Sequence, residues 1–141
     1  MSSPRGPRPP DDGVVIRVLV YSDAATTRRQ VRQALGPRPH PDLPEFEYVD
    51  VATAPMLLRE FDRGGLALAI LDGEASPAGG LGLAKQLRDE YEPCPPLLVL
   101  IARRADRWLA DWSRADASAS LPVDPIELPR TVTRLLRGSR D

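Results

Sequence analysis

Two short apolar runs constrain what this chain can become. VVIRVLVYSD, from Val14 to Asp23, and LALAILDGE, from Leu66 to Glu74, are nearly unbroken in apolar residues and then stop on a carboxylate. A run without polar alternation suits a strand covered on both faces, as in the parallel sheets of α/β folds. The text between such runs is helical. AATTRRQVRQALG sets Ala24, Thr27, Val31 and Leu35 along one face, arginines opposite, and Gly36 as a stop. FEYVDVA alternates apolar and acidic residues like an edge strand, and TAPMLLREFDRGG is a short helix with Pro55 in its first turn. LGLAKQLRDEY predicts a helix burying Leu81, Ala84 and Leu87, with Tyr91 at its end, and PPLLVLIAR a fourth strand. ADRWLADWSRADA carries Trp108 and Trp112 four apart, hence on one helical face. SASLPVD is a weak fifth strand, and PIELPRTVTRLLRG a last helix with Leu128, Val132, Leu135 and Leu136 inward.

Strict alternation of strand and helix implies a parallel sheet with helices on both faces, because parallel strands need crossover connections. Sites in such sheets lie at the carboxyl ends of the strands, near the switch in strand order. A buried strand that ends on Asp72, beside one that ends on Asp23, therefore marks a candidate site.

The 141 residues suit one domain. Residues 1–13, MSSPRGPRPPDDG, lack periodicity and are expected as a disordered tail, leaving a domain over 14–137 and a short tail over 138–141. Lys and Arg number 19 against 20 Asp and Glu, so no net field draws the chain to nucleic acid or anionic lipid. Cys94 is the only cysteine and cannot close an internal disulfide, which fits a reducing cytoplasm. No apolar run is long enough to span a bilayer, and the start lacks a signal-peptide pattern.

Over residues 15 to 137 the order of motifs resembles the receiver domain of bacterial two-component response regulators. In that family an acidic pair ends the first strand and a phosphate-accepting aspartate ends the third. A Thr or Ser ends the fourth, and a Lys followed by Pro ends the fifth. Here Ser22 and Asp23, Asp72, Ile101 with Ala102, and Asp124 with Pro125 are read at those places. TTRRQVRQAL is similar to the first helix of chemotaxis-type receivers. Gly80 and Leu81 match the Gly-Leu that opens the third helix, the proline that normally precedes them being displaced to Pro77. The resemblance implies a receiver or flavodoxin-like three-layer fold: a five-stranded parallel sheet of order 2-1-3-4-5 with helices on both faces. It also implies a weakly held Mg²⁺ on Asp23, Asp72 and the backbone carbonyl of Glu74, and a cis bond before Pro125.

The departures from the family carry physical consequences. Phosphoryl transfer to an aspartate is positioning plus charge neutralisation by metal, cation and hydrogen-bond donors. Asp124 in place of lysine puts an anion where a cation belongs; at about 4 Å and an effective dielectric near 20 the change of sign is worth several kcal/mol. Ile101 removes the hydroxyl, and Leu121 stands three residues before Asp124, where many receivers have an aromatic switch residue. The expectation is an atypical, pseudo-receiver-like, stand-alone domain, not an enzyme. It would act through a protein partner, a sensor histidine kinase or a second copy of itself, with phosphorylation at Asp72 weakened or lost. Two alternatives stay open: a working phospho-acceptor using Asp72 and Mg²⁺, and a flavodoxin-like small-ligand module.

Other residues have plainer readings. Trp108 and Trp112 suit a partner face, core packing being the default for one of them. His40 reads as a solvated loop residue, Cys94 as a small packed one, and Arg28, Arg29 and Arg32 as the solvated face of the first helix. Arg103 and Arg104 could bring a cation toward the acidic pocket. With one histidine and no Gly-rich phosphate loop, ordinary hydrolytic or nucleotide chemistry is not indicated.

Overall fold

The apolar runs take the centre of the sheet. In the computed structural model, which describes residues 14–76, 78–102 and 107–140, β1 (Val15–Tyr21), β3 (Leu66–Asp72) and β4 (Leu97–Ile101) are the inner strands. The edges are β2 (Glu45–Val51) and β5 (Ala117–Ser120), and all neighbours pair parallel in the order β2-β1-β3-β4-β5. That is the topology expected. The tail 1–13, Pro77 and the pair Arg103 and Arg104 lie outside the described residues.

Alternate side chains of the inner strands feed two separate cores, as the period of two requires. Leu19, Tyr21, Ala69, Leu71, Val99 and Ile101 face one side, under α2 (Ala54–Arg63), α3 (Gly80–Glu90) and α4 (Arg107–Trp112). Val18, Val20, Leu68, Ile70, Leu98 and Leu100 face the other, under α1 (Ala25–Leu35) and α5 (Glu127–Arg140). Burying each large aliphatic side chain contributes roughly 1.5–3 kcal/mol, so a strand with no polar interruption is what two covered faces demand. The edge strand β2 keeps Glu45, Glu47 and Asp50 exposed and buries Phe46 and Val51, charges that discourage pairing with another edge. Thr53 caps α2 by accepting from Met56 N, and Gly36 and Gly64 close α1 and α2 at φ 65° and 76°, a region open to glycine.

Two boundaries differ from the sequence reading. α5 continues to Arg140, so the stretch after 137 is largely helix rather than tail. β5 stops at Ser120 instead of running on to Asp124. The backbone N–H of Leu121 makes the last rung, donating to Ile101 O at 2.9 Å, and Pro122 follows with no N–H to give. Asp124 then serves the next element: its Oδ1 accepts from Ile126 N at 2.8 Å and Glu127 N at 3.0 Å, which makes it the cap of α5. The bond before Pro125 is not cis; among the described residues the cis bonds are Leu121–Pro122 and Glu92–Pro93.

Those two N–H donors, Glu127 first and then Ile126, hold the Asp124 carboxyl below its ordinary value of 3.8. A depressed value means the cap stabilises above that pH and is lost as pH falls through the folded value. Asp124→Ala is therefore expected to lower the melting temperature at neutral pH. Thermal melts from pH 7 down to pH 3 should show the gap to wild type closing on the acid side, with Asp124→Asn, a capping residue that does not titrate, close to wild type at neutral pH and keeping its cap where wild type loses it.

Candidate functional site

Parallel pairing of β1 with β3 builds the pocket. The register sets Tyr21 opposite Leu71, so the next residues, Ser22 and Asp72, lie side by side at the carboxyl end of the sheet. Ser22 is fully buried and Asp72 is 4% exposed. Ser22 Oγ donates to Asp72 Oδ2 at 2.7 Å and accepts from Ala24 N at 3.0 Å, while Asp72 Oδ1 accepts from Glu74 N at 2.8 Å. A buried carboxylate needs such partners, and each oxygen keeps a further lone pair for a metal or an electrophile. The carboxylate is thereby oriented before any ligand arrives.

Asp23 follows Ser22 and is exposed at the rim. Its charge reaches inward: burial pushes the Tyr21 phenol up from its ordinary value, and the carboxylates of Asp23 and Asp72 push it further. Both acids thus act on one buried hydroxyl. That hydroxyl donates to Ala78 O, tying the β3–α3 loop back to β1. The start of α3 also needs Gly80, since a Cβ there would lie 2.7 Å from Asp72 O and 2.9 Å from Leu71 Cβ. The Gly80 match noted in the sequence is therefore a matter of close approach to the backbone of Asp72.

Tyr21 escaped the sequence reading because a tyrosine in an apolar strand looks like core. Arg28 escaped it for another reason, its place among the arginines of α1. Rather than standing in solvent, its guanidinium donates to Ser22 O at 2.5 Å, and its Nε lies 3.6 Å from Asp50 Oδ2. Arg32 pairs with the same Asp50. A cation therefore sits beside the pocket from the β1–α1 side, held by Asp50 on the neighbouring strand.

Ile101 ends β4 and is buried at 4% exposure. Leu121 comes directly after β5, is partly buried against the α1 and α5 core, and is followed by Pro122. The residue that follows the fifth strand ahead of a proline is thus Leu121, not Asp124. Asp124 is exposed and committed to α5, so the expected convergence of three aspartates reduces to two. The same shift of three residues puts half-buried Ser118 at the aromatic position that had been read at Leu121. The lysine position holds a neutral apolar side chain: a favourable interaction is missing there, about 4 kcal/mol per unit charge at 4 Å and dielectric 20, but no repulsion replaces it.

For a cation, the pocket would offer the buried carboxylate of Asp72 and that of Asp23 at the rim, with Glu74 kept beside Asp72 by its N–H. No group of three His, Cys, Asp or Glu side chains gathers among the described residues. Such a donor set fits Mg²⁺ that keeps most of its water, since this ion is commonly bound through one or two carboxylates.

Away from the pocket, Trp108 and Trp112 are 65% and 49% exposed, so neither takes the core position expected of one of them. Lys85 Nζ of α3 stands 5.8 Å from the Trp112 ring centre, a cation–π contact that braces the shorter α4. His40 Nδ1 accepts from Asp42 N, and burial pushes the Cys94 thiol up, away from a reactive thiolate.

Known proteins place these features in a family. No family model matches the chain. A curated protein of Mycobacterium tuberculosis, described as an uncharacterized response regulatory protein and found in strains CDC 1551 and H37Rv, is 61% identical over 129 residues, covering 92% of this chain and 97% of the relative. Among solved structures, the response regulator TrrA of Thermotoga maritima in complex with Mg²⁺-BeF is 26% identical with a TM-score of 0.70, covering 86% of this chain and 99% of that one. The chemotaxis protein CheY4 of Vibrio cholerae, at 19% identity and a TM-score of 0.69 over the same shares, has the same fold. The order of strands, the aspartate at the end of β3 and the 61% relatives agree: this chain belongs to the response regulators of two-component signalling, and its fold is their receiver domain.

Proposed function

We propose that this chain is an atypical receiver that passes its signal through protein contacts, with phosphorylation at Asp72 weakened relative to the family pattern. The observation that carries the reading is Leu121 at the close of β5, where a lysine would neutralise a phosphoryl group. Ile101 adds to it, having no hydroxyl to follow that group inward. Ser22 adds more: a serine in the acidic pair leaves the pocket one negative charge short and its Mg²⁺ weakly held. When bound, Mg²⁺ would offset charge on the carboxylates and on phosphoryl oxygens; Asp23, Asp72 and the Glu74 carbonyl would hold it.

A second reading, a working phospho-acceptor, is favoured by one specific arrangement. Asp72 is buried with both oxygens oriented, and Arg28 holds a cation against Ser22 O beside it. In either reading the contacts run through exposed surface, and Trp108 and Trp112 supply the aromatic area that interface anchors use. The partner is a protein, a sensor histidine kinase or a second copy, and the domain acts in the cytoplasm through those contacts rather than by turning over a substrate. No helix among the described residues is long and apolar enough to cross a membrane.

Incubation with acetyl phosphate and Mg²⁺, followed by intact-mass measurement, tests the first reading against the second. A minor fraction carrying one phosphoryl group, absent in Asp72→Asn, is expected; a nearly complete Asp72-dependent adduct would establish the second reading instead. Ser22→Asp, which restores the acidic pair, is expected to tighten Mg²⁺ by at least tenfold, about 1.4 kcal/mol. Calorimetry reads that change directly, and unchanged Mg²⁺ affinity would contradict the role given to Ser22.

A further inference from the structure

A groove of about 430 Å³ runs between α5 and the α1–β2 loop and shares no residue with the Asp72 pocket. Pro39 and His40 form one wall; Pro129 and the stems of Arg130, Arg134 and Arg137 form the other. The three arginines lie four and then three residues apart on one helical face, a span of about 10 Å along the axis. Arg137 lies 3.8 Å from Asp42, whereas Arg130 and Arg134 have no ion pair among the described residues. The acid best placed on the helix to pair with them is turned away: Glu127 Oε1 accepts from both the N–H and the hydroxyl of Ser120. His40 Nδ1 is occupied by Asp42 N, which leaves the Nε2 edge of the ring as its donor.

We propose that this groove binds a small ring-bearing anion, a phosphate or carboxylate carried on a planar apolar body. Charge complementarity comes from Arg130 and Arg134, whose planar forks match phosphate and carboxylate oxygens in pairs. The body comes from the lining: proline faces and arginine stems are apolar, and guanidinium planes stack on rings. The volume lies within the range of small-molecule sites, roughly 300–1,000 Å³. A bare inorganic anion would use the charges and leave the apolar walls wet, so both parts of the ligand are needed.

The test uses the full chain, ¹⁵N-labelled, titrated with 1-naphthyl phosphate, 1-naphthoate, inorganic phosphate and 1-naphthol. The two ring-bearing anions are expected to shift the amide signals of His40, Arg130, Thr133 and Arg134 saturably, at least tenfold more tightly than inorganic phosphate or 1-naphthol. The exposed double variant Arg130→Glu/Arg134→Glu should abolish that binding while keeping the wild-type spectrum elsewhere. Equal binding of inorganic phosphate, the absence of saturation, or binding that survives the charge reversal would each overturn the proposal. So would a dimer of the wild type that the double variant dissolves, which would assign the groove to a second copy. Movement of the same four amides on deleting residues 1–12 would overturn it too, by assigning the groove to the chain's own start.

Discussion

The hydrogen bond from Ser22 to Asp72 is the point on which the site depends, and it follows from strand register rather than from a loop. Two parallel inner strands in step at Tyr21 and Leu71 can only continue into Ser22 and Asp72 as neighbours. The apolar runs ahead of these residues hold that register, because Val18, Val20, Leu68 and Ile70 on one face and Leu19, Tyr21, Ala69 and Leu71 on the other are all buried. A slip of one residue would send every one of them to the wrong core. Stability and site geometry are therefore secured by the same packing.

Around that bond the pocket is electrostatically lean. One carboxylate is buried and oriented, a second stands at the rim, and Arg28 supplies a cation at the backbone of Ser22 that Asp50 already engages. Leu121 and Ile101, at the ends of β5 and β4, contribute shape without charge or hydrogen bonds from their side chains. A phosphoryl group arriving at Asp72 would bring negative charge into this setting with less to neutralise it than the family pattern provides, and a metal at two carboxylates would have to make up the difference. Membership in the response regulators, at 61% identity to curated relatives, takes away the ground for a flavodoxin-like ligand module at these strand ends.

The inner strands were readable from the sequence because burial on both faces leaves no room for polar residues, and Asp23 and Asp72 stood out as the carboxylates that end them. The helix stop at Gly36 was readable for a similar reason, since few residues take a positive φ there. The fifth strand was not. ASAS carries little hydrophobic signal, and two prolines, Pro122 and Pro125, compete to mark its end. Aspartate before proline looked like a strand terminus, whereas the structure uses it to cap α5 through the amides of Ile126 and Glu127. Moving the lysine position back by three residues, from Asp124 to Leu121, changes the chemistry from a repelling anion to a missing cation. Arg28 and Tyr21 were hidden because their roles are set by contacts 22 and 57 positions away, with Asp50 and Ala78, which no local pattern encodes.

Leu121 stands where a counter-ion would neutralise a phosphoryl group, and beryllofluoride, a phosphoryl mimic, measures that absence directly. Its affinity in saturating Mg²⁺ should be compared by ¹⁹F NMR in the wild type, in Leu121→Lys and in Leu121→Met as a packing control. Leu121→Lys is predicted to bind at least tenfold more tightly than the other two, with the adduct lost in Asp72→Asn. Equal affinity in all three, with the wild type already saturating, would contradict the claim that the cation at the end of β5 is what this receiver lacks.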